Sequence, residues 1–173
     1  MGLPFSPLGL DPAVIRDELN HRDPAVALAV ALIAFHALTK SDCRNLRLTD
    51  IVDGRLTAGD RDIPLAAPVR TRPAAWLDHR QRRWPSCANP HLLVSRRTAP
   101  RLVPVGHNFP WKGITLRPQA LREDRILHEI HATGGDVRRI CDLFGLSVEG
   151  ATRYLKTVEH PDLTIEGERV TRA

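Results

Sequence analysis

From Ala25 to Leu38 nearly every position is apolar, with His36 the one interruption. A helix that is apolar on all sides belongs inside a fold, so this segment is predicted to be the central buried helix. Asp23-Pro24, just ahead of it, supplies an N-cap and a proline at the first helical position, and Asp11-Pro12 gives the same signal to a shorter polar helix ending near His21. Thr39-Lys40-Ser41-Asp42 opens another short helix that runs through Leu46. The pattern then changes period. Leu48 to Val52 alternates, Asp53-Gly54 is a two-residue hairpin signal, and Arg55 to Ala58 returns. Asp62 to Leu65 reads as a third strand at an edge, because Pro64 has no N–H for a central ladder.

Beyond this meander, Val69, Ala74, Leu77 and Trp84 fit an amphipathic helix between Ala67 and Trp84, with Pro73 a kink or a late start. Pro85 to Gly113 is mostly loop around one apolar run, His91 to Val94. Arg117-Pro118 starts a helical block that runs to Ala132, breaks at Gly134-Gly135, and resumes as Val137 to Phe144 and Val148 to Val158. The expected fold class is α+β: a mainly helical single domain with a small three-stranded antiparallel sheet. Residues 1–10 read as an arm, 11–162 as the domain and 163–173 as a C-terminal tail.

Composition narrows the function classes. A chain of 173 residues is long enough to bury a real core. Its longest apolar run falls short of the roughly 18 residues that span a membrane, and Met1 to Gly9 has neither the basic start nor the apolar stretch of a secretory signal, so a cytoplasmic location with no membrane partner is expected. Cys43, Cys87 and Cys141 form no CxxC pair, and His128 and His131 share a helix face without a third ligand, so neither metal nor cofactor is expected. The net charge is +5 and is carried mainly by arginine, clustered at Arg80/Arg82/Arg83, Arg96/Arg97 and Arg138/Arg139. Arginine presents a rigid donor fork suited to phosphate, and clusters of it are a nucleic-acid footprint as well as a common solvated surface.

Specific chemistry enters with the C-terminal third. Gln119-Ala120-Leu121-Arg122, Gly134-Gly135-Asp136-Val137-Arg138-Arg139-Ile140, Leu143-Phe144-Gly145-Leu146 and Thr152-Arg153-Tyr154 follow one another in an order that resembles the closing half of a tyrosine recombinase (phage integrase) catalytic domain. In that family a His-x-x-Arg box opens one helix, a Leu-Gly-His turn follows, and the nucleophilic tyrosine comes about two turns later. Phe35 to Leu46 resembles the family's first box, Thr-Gly-Leu-Arg-x-Ser-Glu-Leu with a further leucine three residues on. The resemblance covers roughly Asp11 to Asp162, and the family's separate N-terminal DNA-clamping domain is not expected here.

The resemblance implies phosphoryl transfer through a covalent 3′-phosphotyrosine, with cations set against the non-bridging oxygens. It puts Tyr154, the only tyrosine of the chain, at the nucleophile and Arg122 at the second arginine. Thr39 stands where the family has its first arginine, Gln119 at the histidine of the second box, and Leu146 at the histidine after the glycine turn. The interval from Leu146 to Tyr154 is one residue short, and the meander holds no lysine, although Arg61 stands near. Losing one such cation costs about 2.7–4 kcal/mol, so weak or lost catalysis is expected, with Lys40 or Arg44 the nearest substitutes. Double-stranded DNA, together with other recombinase protomers, is the implied partner, and Lys40, Arg61, Arg138, Arg139, Arg153 and Lys156 are its expected contacts. Two plainer roles stand beside these: Arg122 pairing with Glu123 or Asp124, and Tyr154 filling an apolar setting of Leu143, Leu146, Val148 and Ala151.

The stretch 136–156 also reads as a helix-turn-helix, with Val137 to Phe144 the first helix, Gly145-Leu146-Ser147 the turn and Val148 to Lys156 the recognition helix. Glu149, Thr152, Arg153 and Lys156 would then face a major groove, and the function would be binding without cleavage. A third class is an interaction module with neither DNA nor catalysis.

Overall fold

The computed structural model describes residues 9–158, and these divide between Arg125 and Ile126 into two compact units. The first unit begins with helices α1 (Pro12–Leu19) and α2 (Pro24–His36). Each starts as its Asp-Pro signal predicts: the Asp11 and Asp23 carboxylates accept from Ala13 N at 2.8 Å and Ala25 N at 2.9 Å. Because α2 is apolar all round, it is enclosed on all sides; Leu28 through Ile33 have no exposed surface. It packs on α1 and on α4 (Ala67–Arg83). A left-handed Ala37, at φ 51°, closes α2, and α3 (Lys40–Asn45) follows.

The meander forms as an antiparallel sheet, β1 (Ile51–Val52), β2 (Arg55–Ala58) and β3 (Arg61–Pro64), in the order β1-β2-β3. Leu56 and Ala58 point into the core while Arg55 and Thr57 face out. Pro64 pairs with Arg55 at the edge, as its missing N–H requires. The first strand is shorter than its alternation suggests. Leu48–Asp50 is a 3-10 turn, since the Asp50 carboxylate accepts from Arg47 N at 2.7 Å and Leu48 N turns to the Pro90 carbonyl at 2.9 Å.

Helix α4 starts at Ala67 and runs through Pro73 without a late start. Val69, Pro73, Trp76 and Arg80 are its buried residues, so the packing of that face offsets the backbone bond that Pro73 omits. Between α4 and α5 (Pro118–Thr133) lies a long connection with no helix or strand, as read from the sequence. Buried side chains organise it. Trp76 Nε1 donates to the Leu92 carbonyl at 2.7 Å, and the Arg80 guanidinium donates to the carbonyls of Asn89, His91 and Leu92. Asn89 Nδ2 donates to Thr98 O at 2.8 Å and Val103 O at 2.9 Å.

The second unit holds the end of α5, then α6 (Val137–Phe144) and α7 (Val148–Val158). Gly134 and Gly135, at φ 64° and 85°, make the break, and a Cβ on Gly135 would lie 2.9 Å from Leu155 Cδ2. Asp136 caps α6 through Arg139 N, and the Ser147 hydroxyl caps α7 through Gly150 N, both at 3.1 Å. Ile140, Phe144 and Ala151 are buried. Among the described residues no helix is long and apolar enough to cross a membrane.

Candidate functional site

The first-box segment is built around a turn between two helices. Thr39 is the N-cap of α3: its Oγ1 accepts from Asp42 N at 3.0 Å, and its own N–H donates to Asp42 Oδ2 at 2.8 Å. This reciprocal capping box satisfies two backbone donors and commits the threonine hydroxyl to the helix start. Lys40, half-buried, is the first residue of α3. Arg44 turns to the connection, where Nε donates to the Val105 carbonyl at 2.7 Å.

Arg122 reaches this same turn. Its Nε donates to the Ala37 carbonyl at 2.8 Å, two residues ahead of Thr39, so the plainer pairing with Glu123 or Asp124 is not what holds it. Three residues further along α5, Arg125 Nε donates to the Phe35 carbonyl at 3.1 Å. Residues three apart share a helix face, so the two arginines clamp the C-terminal end of α2 together. Gln119 is exposed and faces along its own helix, donating to Glu123 Oε1 at 2.7 Å.

His36, one residue ahead of Ala37, is buried, and its Nε2 accepts from Ala66 N at 3.2 Å. Burial, then the positive fields of Arg125 and Arg61, hold its pKa down to about 4. It is therefore a neutral acceptor at neutral pH, and Arg61, at the start of β3, is electrostatically coupled to the end of α2. The family resemblance singled out Arg122 and Arg61 but not Arg125 or His36. The i, i+3 repeat Arg122-x-x-Arg125 was the available signal for the former; for His36 it was its place as the one polar residue in the apolar run Ala25 to Leu38.

In the second unit Tyr154 is half-buried on α7, flanked by exposed Arg153 and followed by exposed Lys156. Arg138 is exposed. Arg139 is exposed too, and its Nε lies 3.3 Å from Glu129 Oε1, so part of its charge is already matched. Leu146 is half-buried in the α6–α7 turn, and Glu149 is exposed. The arginine clusters thus divide by role: Arg80 is a buried scaffold group and Arg82 pairs with Asp78 at 2.7 Å, whereas Arg83, Arg96 and Arg97 are exposed.

Comparison with solved structures accounts for this order of elements. The chain superposes on XerA recombinase with a TM-score of 0.66 at 20% identity, over 84% of its length. XerH site-specific recombinase bound to its difH substrate gives 0.63 at 15% identity over 92% of the chain. The chain has a tyrosine recombinase catalytic-domain fold. The Tn1549 transposon integrase, in complex with a circular intermediate DNA, matches that fold at a TM-score of 0.59, 12% identity and 89% coverage. The chain spans 57%, 54% and 61% of those three solved chains, respectively. No family model and no curated protein sequence matches it. In this chain the α2–α3 turn holds Ala37 to Thr39, β1–β3 form the meander, the start of α5 holds Gln119 to Arg122, and Tyr154 lies on α7.

Proposed function

We propose that this chain is a DNA-binding recombinase- or integrase-like domain acting in DNA integration or recombination, with strand transfer through Tyr154 weak or lost. The observation that carries the reading is a fold shared with XerH and the Tn1549 integrase, both solved on DNA. Duplex DNA is the partner, joined by further recombinase protomers, and the cytoplasm is the site of action. Lys40, Arg61, Arg138, Arg139, Arg153 and Lys156 are the candidate phosphate contacts. Arg122 is the retained cation, and Thr39 is an uncharged cap where the resemblance has an arginine. A pentacovalent phosphate beside such a turn receives one fewer positive charge, which supports slow or absent cleavage. The test is a nicked suicide substrate that traps a covalent Tyr154–DNA adduct. The expected result is salt-sensitive duplex binding with little or no adduct; abundant adduct would restore the enzyme reading, and no binding at low salt would remove DNA altogether.

The capped α6–turn–α7 pair favours a second reading, a helix-turn-helix binder. Ser147 caps the second helix, and Glu149, Arg153 and Lys156 on it are exposed. On this reading Arg153→Ala and Lys156→Ala change sequence preference, while Arg122 variants leave DNA binding unaltered.

A further inference from the structure

Where α4 ends, the long connection folds into an open pocket of about 430 Å³ that belongs to none of the boxes above. Arg83, Trp84, Pro85 and Cys87 form one wall, and Arg96 and Pro100 lie on the other. The walls are built rather than incidental. On one side Cys87 N closes a turn on Trp84 O at 3.0 Å; on the other Ala99 N closes a turn on Ser95 O at 2.8 Å, with Ser95 N donating to Thr98 Oγ1 at 2.9 Å. Cross-ties join them: Cys87 Sγ donates to Ala99 O at 3.1 Å and Asn89 Nδ2 to Thr98 O at 2.8 Å. Trp84 is held by edge-on contacts with Trp76 and His79, with ring centres 6.5 and 6.3 Å away and ring planes inclined at 62° and 78°.

We propose that this pocket is a nucleotide site, in which a planar base packs on Trp84 and the flanking prolines while Arg83 and Arg96 hold the phosphate. Its volume falls in the range of about 300–1,000 Å³ usual for small-ligand sites. No carboxylate lines it, and Arg83 and Arg96 are exposed and make no ion pair or hydrogen bond among the described residues. Two unmatched guanidinium groups at an apolar, ring-lined pocket select a ligand with a flat π-face and a concentrated negative charge. An acidic peptide meets the charge but not the floor, since the lining includes no strand edge on which a peptide backbone could pair. The nucleotide comes either free or as an unpaired residue of a DNA strand; the chemistry is the same. The pocket is independent of Tyr154 and of the proposed strand-transfer role.

Calorimetric titration of the whole chain tests this with four probes: 2′-deoxyadenosine 5′-monophosphate, ribose 5-phosphate, a hexadeoxynucleotide single strand and a hexaglutamate peptide. The mononucleotide is expected to bind at least about tenfold more tightly than ribose 5-phosphate, the contribution of base stacking. Arg83→Glu/Arg96→Glu, two exposed substitutions, is expected to remove that binding, and Arg96→Gln to weaken it, with the melting temperature retained. Binding of the single strand but not the mononucleotide, lost in the same variant, assigns the site to unpaired DNA. Equal binding of ribose 5-phosphate, binding unchanged in the double variant, binding of hexaglutamate alone, or no binding of either nucleotide probe overturns the proposal. Duplex affinity, measured in parallel, reports separately on the recombinase-like reading.

Discussion

Arg122 Nε donates to the carbonyl oxygen of Ala37 at 2.8 Å, tying the first turns of α5 to the left-handed residue that ends the buried helix α2. A charged donor on a half-buried carbonyl typically contributes about 1.5–3 kcal/mol. Arg122→Ala is therefore expected to cost about 2 kcal/mol, a melting temperature lower by about 4–8 °C for a chain of this size. Arg122→Lys should recover little of this, because an ammonium lacks the planar fork that meets the carbonyl. An unchanged melting temperature in Arg122→Ala would show that the contact is incidental to the turn.

Stability should also depend on pH through His36. Its folded pKa of about 4 lies below the ordinary 6.5, because burial comes first and the Arg125 and Arg61 charges second. The unfolded chain therefore binds a proton that the folded chain refuses. The contribution is complete above the unfolded pKa and is lost as pH falls from 6.5 toward about 4. The expected loss across that window is on the order of 3 kcal/mol. His36→Gln keeps an acceptor for Ala66 N without titrating, so the stability difference between wild type and variant, followed by urea midpoints from pH 7 to pH 4, should change with pH. A difference that stays flat would contradict the buried, neutral histidine.

The long connection should depend on Arg80. Its guanidinium serves the carbonyls of Asn89, His91 and Leu92, and the side chain is buried. Arg80→Ala removes the donors of the Asn89 and His91 carbonyls and leaves the Leu92 carbonyl to Trp76 Nε1 alone, and each buried orphan costs about 1–3 kcal/mol. The expected outcome is a loss of at least about 2 kcal/mol with proteolytic cleavage appearing between Pro85 and Gly113. Resistance to protease equal to that of the wild type would show that Trp76 and Asn89 suffice.

Gly134 and Gly135 both sit at positive φ, but only Gly135 has a neighbour in the way, Leu155 Cδ2 at 2.9 Å from a built Cβ. Gly134→Ala is expected to cost about 1 kcal/mol from backbone strain alone. Gly135→Ala should cost more, because Leu155 must also shift its terminal methyl. Equal melting temperatures for the two variants would argue against close packing of α7 on the α5–α6 turn.

Much of the fold was legible because its punctuation is local. Asp11-Pro12, Asp23-Pro24, Asp53-Gly54, Gly134-Gly135 and Ser147 each stand at an element boundary and act through their own backbone, so the residues alone carry the information. The site was legible only in part. Thr39 is read correctly as a helix start, but that its hydroxyl is committed to Asp42 N depends on rotamer and cap geometry. Arg80 looked like one member of a surface cluster because burial depends on residues 89–92 folding back over α4, which no local pattern announces. Arg122 reaching Ala37 spans 85 positions of sequence, a distance at which periodicity is silent.

The last prediction separates a decayed enzyme from a binder. If strand transfer is weak because cations are missing, Thr39→Arg with Gln119→His and Leu146→His should raise covalent adduct formation on a nicked substrate, and adding Tyr154→Phe should abolish it. The first substitution also breaks the Thr39–Asp42 capping box. Its cost is about 0.5–2 kcal/mol of stability, so adduct must be compared at a temperature where every variant is folded. Gln119→His removes a bond to Glu123 on an exposed helix face and should be nearly neutral on its own. Restoring even one transition-state cation is worth a factor of about 10² to 10³ in rate, well above any loss from the broken cap once folding is verified. A folded triple variant that binds duplex DNA and still forms no adduct would leave binding without cleavage as the function.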